Sequence, residues 1–211
     1  SASHELKTPL MSMNIMIENM LYDIGKYKNH YVYLEKCKDI VNELSKMVQE
    51  ILDTSKLNII NNKIDEDTVA LDLFAGSGAI GIEFLSRGAK KVYFCEKERD
   101  VLSIINQNLL KTRLSEKAIV INKSYEKCLK ELNEKIDIIY IDPPYKMDLA
   151  VKAIELIEEL ELLNDNGIII VETDEKDREI EEFNTINSKY QIYDIRKYGR
   201  AYLMFLDGRG K

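Results

Sequence analysis

The sequence predicts an α/β protein whose sheet is mostly parallel, closed at one edge by an antiparallel hairpin and preceded by an α-helical hairpin. Three observations lead there. From Asp67 onward, short apolar runs alternate with amphipathic segments, the pattern of parallel strands joined by crossover helices. Before that point, residues 1–57 carry apolar residues at helical spacing only. Near the carboxyl end, two β-rich runs flank Gly199, which reads as a hairpin.

In chain order, Leu6, Leu10, Met13, Ile17 and Met20 form one stripe, and Leu34, Cys37, Val41, Leu44, Val48 and Ile51 a second. Their spacings of three and four residues are those of bundle seams. The polar stretch Asp23 to His30, with Gly25, separates them. Two helices cannot bury two such stripes alone, so a homodimer forming a four-helix bundle is expected. Residues 58–66 read as a short polar linker, and 67–211 as the α/β domain. Its strands are predicted near 68–74, 91–96, 118–122, 136–142 and 167–173, its helices near 78–87, 99–112, 124–134 and 147–161, and its edge hairpin at 190–198 and 201–206.

The composition is that of an ordinary soluble protein of 211 residues, 45% hydrophobic and 32% charged. No apolar run approaches the roughly 20 residues that span a bilayer, and Ser1 opens into a helical pattern rather than a signal peptide. Cys37, Cys95 and Cys128 lack metal spacing, which predicts reduced thiols and a cytoplasmic setting. The net charge of −7 divides into 7 basic against 8 acidic residues over 1–58, and 23 against 29 in the remainder. A nucleic-acid partner would therefore need a local basic footprint. Lys90, Lys91, Lys97 and Arg99 are candidates, with Arg196, Lys197, Arg200, Arg209 and Lys211 towards the end.

Two sequences carry chemistry in the α/β part. Asp72-Leu73-Phe74-Ala75-Gly76-Ser77-Gly78-Ala79 follows the first strand, and Glu96 ends the second, 20 residues after Gly76. Glycines there let the backbone turn and approach a ligand, and an acidic residue at that distance accepts ribose hydroxyls. Gly76, Gly78 and Gly81 also fit the dinucleotide spacing, but a pyrophosphate gives Asp72 no role. S-adenosylmethionine, cationic and without phosphate, suits the set better, with Asp72 meeting its amino group.

Asp142-Pro143-Pro144-Tyr145 follows the apolar run Ile136 to Ile141. An exocyclic amino group of a base is a poor nucleophile because its lone pair is delocalised. Acceptors around its hydrogens favour the pyramidal nitrogen of the transition state. Asp142 offers a carboxylate and Pro143 a carbonyl, held in advance by successive prolines. Tyr145 offers a face for stacking. The combination points to methyl transfer onto a base nitrogen.

Residues 59–206 resemble the bacterial 16S ribosomal RNA guanine-N2 methyltransferase family, of the class I methyltransferase (Rossmann-like) fold. The resemblance is carried by Asp72 to Glu83, Ser86 to Ala89, Glu96-Lys97, Asp142 to Tyr145, Ile170-Val171-Glu172 and Tyr198-Gly199-Arg200. It implies S-adenosylmethionine bound by Asp72, Phe74, Gly76, Gly78, Glu96 and Lys97, catalysis at Asp142, Pro143 and Tyr145, and ribosomal RNA or the small ribosomal subunit as substrate. Two departures stand out. The family's acidic residue near the end of the third strand is replaced within Asn122-Lys123-Ser124-Tyr125. Its basic amino-terminal hairpin and Arg-Pro-Thr helix have no counterpart here.

Residues 1–57 resemble the dimerisation and phosphoacceptor hairpin of sensor histidine kinases, from Ser3-His4-Glu5-Leu6-Lys7-Thr8-Pro9 to Leu52-Asp53-Thr54-Ser55-Lys56-Leu57. His4 lies nearly opposite the apolar stripe, so an exposed imidazole is expected. The resemblance implies His4 as phosphoacceptor, assisted by Glu5 and Thr8, with a kinase ATP-binding domain acting in trans and a response regulator as partners. The kinase-type hairpin stands where the methyltransferase family has its own beginning, an arrangement that looks like a fusion or an artificial splice. A two-component signalling module is thus the alternative to an RNA methyltransferase.

Overall fold

The computed structural model describes residues 2–144 and 149–208, and the chain divides into two compact units, Ser1–Ser55 and Lys56–Lys211. In the first, helices α1 (Ala2–Leu21) and α2 (starting at His30 and running to Leu57) are joined through a 3-10 turn at Gly25–Lys28. Asp23 and Gly25 take the positive φ that reverses the chain. His30 Nε2 lies 2.9 Å from Asp23 Oδ1, closing the loop. Burial is concentrated beside this turn, where Met20, Tyr33 and Cys37 pack with Met13, Met16 and Tyr27. The Tyr27 and Tyr33 rings stand 4.4 Å apart. Further along the stripes Leu10, Val41 and Val48 are each 46% exposed. Among the described residues, the two helices fill the turn end of the seam that their sequences encode.

The second unit is a seven-stranded sheet in the order β3-β2-β1-β4-β5-β7-β6. Its strands are β1 (Val69–Asp72), β2 (Lys91–Cys95), β3 (Ala118–Ile121), β4 (Ile136–Ile141), β5 (Leu163–Thr173), β6 (Gln191–Tyr198) and β7 (Ala201–Asp207). The first five pair in parallel, while β7 runs antiparallel to both β5 and β6. Helices α3 (Ala79–Ser86), α4 (Arg99–Thr112), α5 (Tyr125–Glu131), α6 (Leu149–Glu159) and α7 (Lys176–Phe183) complete the unit. The mostly parallel sheet with its antiparallel edge is the architecture that the alternating pattern predicts.

Alternate residues of the central strands face opposite layers. Leu71, Tyr93, Ile139 and Val171 pack with Leu129 of α5, Ile154 of α6 and Phe183 of α7. Ala70, Phe94, Ile138, Tyr140 and Ile170 pack with Phe84 of α3 and Ile105 of α4. Two-sided burial explains why β4 reads as an almost unbroken apolar run. Its one charged residue, Asp137, accepts hydrogen bonds from the Val69 N–H (2.8 Å) and Asn164 Nδ2 (2.5 Å).

Residues 58–66 carry more packing than their composition predicts. A 3-10 helix spans Asn58–Lys63, and Ile60 is 1% exposed in the layer beneath α3. Burying one such side chain contributes roughly 1.5–3 kcal/mol.

Gly81 lets α3 sit close to the sheet. A Cβ there would stand 2.3 Å from Phe94 Cε1. Gly81→Ala is therefore expected to cost roughly 1–3 kcal/mol, measurable as a lower urea midpoint. At the sheet's amino end, Glu134 accepts from Lys91 Nζ and the Tyr93 hydroxyl. Burial works to raise its carboxyl, but these two donors outweigh it and hold the group below the usual carboxylate range. The contribution is present above the unfolded-state value near 4.3 and is lost as pH falls through the lower folded value. Glu134→Gln should destabilise by about 0.5–1 kcal/mol at neutral pH. The difference from the parent should shrink in melts below about pH 4.

Candidate cofactor and substrate site

The carboxyl ends of β1, β2, β3 and β4 share one edge of the sheet, so the loops that follow them converge. The Leu73 N–H donates to the Tyr140 carbonyl and the Ala75 N–H to the Cys95 carbonyl, both at 3.0 Å. These bonds fix the glycine turn against its neighbours on either side. Gly76 (φ +52°) and Gly78 (φ +78°) adopt left-handed backbone, which glycine tolerates without strain. Asn108 of α4 donates to the Ser77 carbonyl at 3.0 Å, holding the turn from outside.

Glu96 follows β2, and its carboxylate is already oriented. Oε2 accepts from the Gly76 N–H (3.1 Å) and Oε1 from the Glu98 N–H (2.9 Å). Each carboxylate oxygen keeps a second lone pair, so two hydroxyls of a ribose can still be accepted. Asn122, at the end of β3, donates to the Glu96 and Lys97 carbonyls at 2.9 Å. It thus secures the loop rather than facing a ligand.

These loops enclose a cavity of about 660 Å³, walled by Phe74, Gly76, Glu96 and Lys97 on one side and by Asp142, Pro143 and Pro144 on another. Ligand pockets of small molecules fall in this size range. Ser124, Tyr125 and Glu126, at the start of α5, close the third side. The Phe74 and Tyr125 rings lie 5.5 Å apart, tilted by 40°. The Ser124 hydroxyl and the helix's own N–H hold the Glu126 carboxyl below its ordinary range, against a smaller opposing effect of burial. Acidic Glu96, Glu98, Glu126 and Asp142 face basic Lys97 and Lys123 on this wall. The balance suits a cationic nucleoside and disfavours a pyrophosphate. Cys95 also lines the cavity, but a hydrogen bond with Cys128 and burial together push its thiol up, leaving a poor nucleophile.

Not every predicted residue reaches the cavity. Asp72 is 2% exposed, and its Oδ2 accepts from the Gly81 N–H at 3.0 Å. It anchors the start of α3 instead of standing on the wall, because a buried carboxylate at a strand end finds the nearest N–H of the following helix. Gly78 is likewise buried beneath the turn. Tyr145 lies outside the described residues, as do Arg209 and Lys211 and the side chains of His4 and Glu5. Thr8 is exposed on α1. The sequence flags Ser124 and Tyr125 only within the altered stretch at the end of β3, and Glu126 not at all. No local signal marks them, since their place on the wall depends on β3 lying beside β2.

Comparison with known proteins gives matches of two kinds along the chain. The profile of "Conserved hypothetical protein 95" matches residues 32–207, and that of the "His Kinase A (phospho-acceptor) domain" matches residues 1–58. The two matches overlap over residues 32–58. The chain is 44% identical over 111 residues to ribosomal RNA small subunit methyltransferase D of Haemophilus influenzae, covering 51% of this chain and 57% of that relative. It thus spans little more than half of that relative's length. Over 55 residues it is 47% identical to a sensor histidine protein kinase of Streptococcus pneumoniae, covering 26% of this chain and 12% of the kinase. Among solved structures, a protein from Haemophilus influenzae described as a methylase superposes with a TM-score of 0.62 at 34% identity, covering 73% of this chain and 94% of that one.

Proposed function

We propose, for a chain that belongs to the conserved hypothetical protein 95 family, that the unit Lys56–Lys211 transfers a methyl group from S-adenosylmethionine to the exocyclic N2 of a guanine in small-subunit ribosomal RNA. One observation carries the reading: the oriented Glu96 carboxylate and the Asp142-Pro143 acceptors share one cavity. When bound there, S-adenosylmethionine supplies an electrophilic methyl on a positive sulfur.

The chain's own part is to bind, hold and receive a proton. Glu96 accepts the ribose hydroxyls while its bonds to the Gly76 and Glu98 N–H groups keep it in place. Phe74 and Tyr125 supply apolar faces for the nucleoside. Asp142 and the Pro143 carbonyl accept from the target amino group, turning its lone pair towards the methyl carbon. With the cofactor bound, the amino nitrogen would gain the methyl carbon as the sulfur–carbon bond broke, and the proton left on nitrogen would pass to Asp142 or to water. Positioning by Lys97, which lines the same wall, completes the set.

For RNA, we propose a basic footprint at the edge hairpin and the start of α7. Lys176 and Lys197 lie 5.5 and 5.4 Å from the centroid of the Tyr202 ring. Tyr202 pairs with Thr173 at the carboxyl end of β5, and Arg200 is exposed in the adjoining turn. Lys91 and Arg196 are paired with Glu134 and Asp194, and Lys176 with Asp177 at 3.1 Å. The test is incorporation of labelled methyl from S-adenosylmethionine into small ribosomal subunits and their RNA. Incorporation into guanine supports the reading, and cofactor binding without any transfer overturns it.

The match to a phosphoacceptor domain over residues 1–58 favours a second reading for the unit Ser1–Ser55. His4 there would be phosphorylated in trans by a kinase ATP-binding domain, with Glu5 and Thr8 assisting transfer to a response regulator. The exposed stripe of Leu10, Val41 and Val48 would be covered by a second copy of the hairpin. Incubation with a sensor-kinase ATP-binding domain and labelled ATP should label the chain but not His4→Gln. Equal labelling of both would refute it.

A further inference from the structure

Glu172 lies beside the substrate acceptors and has no part in the mechanism above. Ile141 of β4 pairs in register with Val171 of β5. The next residues, Asp142 and Glu172, therefore stand next to each other across two parallel strands about 4.8 Å apart. In the sheet order, β5 is on the far side of β4 from β1 and β2. Glu172 is thus beyond Asp142 as seen from the cofactor cavity.

Its carboxylate is held in place. The Tyr140 hydroxyl donates to Glu172 Oε2, and Tyr140 itself is fully buried in the core. Burial first, then the nearby charges of Glu172, Asp142 and Asp72, push the Tyr140 phenol well above its ordinary value. The phenol stays protonated, so it remains a donor that fixes the carboxylate.

We infer that Glu172 is the residue that selects guanine, by accepting the ring N1–H while Asp142 accepts from the neighbouring N2 amino group. Guanine presents N1–H and N2–H side by side as donors. Adenine presents an amino group beside an unprotonated N1, whose lone pair would face the Glu172 carboxylate. A site built to accept a ring N–H rejects the analogue that lacks it, because its own acceptor is left unpaired. This inference rests on the proposed methyl transfer to a guanine amino group.

The test replaces the methylated guanine, once mapped, with 2-aminopurine in an RNA fragment that the parent chain accepts. This analogue keeps the 2-amino group and loses N1–H. The parent should prefer guanine by roughly 10- to 150-fold in kcat/KM, the worth of one hydrogen bond to a charged group. Glu172→Gln can turn an amide N–H towards the unprotonated N1, so its preference should fall to within a few-fold. Tyr140→Phe keeps the carboxylate but frees it, and should give an intermediate ratio. Calorimetric binding of S-adenosylmethionine should match the parent in both variants. An unchanged guanine preference in Glu172→Gln would overturn the inference, as would loss of cofactor binding, which would mark Glu172 as structural. Failure of the parent to methylate guanine at all would instead remove the reading beneath it.

Discussion

Glu96→Ala should weaken S-adenosylmethionine binding by roughly 100-fold or more, as two hydrogen bonds from ribose to a charged acceptor are each worth about 1.5–3 kcal/mol. The effect is large because the carboxylate is oriented before any ligand arrives. Its bonds to the Gly76 and Glu98 N–H groups mean that binding need not immobilise it again. Glu96→Gln keeps one acceptor oxygen and should lose less. Titration calorimetry on the parent and both variants checks this order, with thermal melts run alongside. Equal affinity in all three would remove the cofactor from this cavity. Loss accompanied by a collapse in melting temperature would show that Glu96 serves mainly to hold the glycine turn.

Asp142→Ala should leave cofactor affinity within a few-fold of the parent while lowering kcat by roughly 10²–10³, the usual cost of removing one preorganised polar group from a reacting centre. Asp142 follows β4, the strand between β1 and β5, and the prolines after it stiffen the loop. Its aim is therefore set by the sheet and not by the ligand. Asp142→Asn retains an acceptor oxygen and should fall between the two. Single-turnover rates at saturating RNA separate this from a binding defect, which would appear in KM alone. An unaltered kcat in Asp142→Ala would assign the amino-group acceptor elsewhere.

The fold was legible where burial is two-sided. Ile136 to Ile141 and the runs before Asp72 and Glu96 read as strands because both faces are covered and few polar residues interrupt them. The sequence predicts β5 only from residue 167, whereas the strand begins at Leu163. Asn164, Asp165 and Asn166 look like a turn, and only the pairing of Leu163 with Ile136 beyond an irregularity keeps them in the sheet. Helix α7 carries little sequence signal because Phe183 is its one buried residue, leaving little periodicity to read. In the site, Glu96 and the Asp142-Pro143 turn were visible as motifs at strand ends. The position of Asp72 was not, since nothing local says that the Gly81 N–H competes for its carboxylate. The relation of Glu172 to Asp142 was hidden as well, because it exists only in the register of β4 against β5.

The most direct test of the central claim is the identity of the methylated nucleoside. Small ribosomal subunits incubated with the chain and S-adenosylmethionine bearing a deuterated methyl group can be digested and analysed by mass spectrometry. The account predicts label in N2-methylguanosine alone, absent with Asp142→Ala. Label in a different nucleoside, or in N2-methylguanosine to the same extent with the variant, would contradict it.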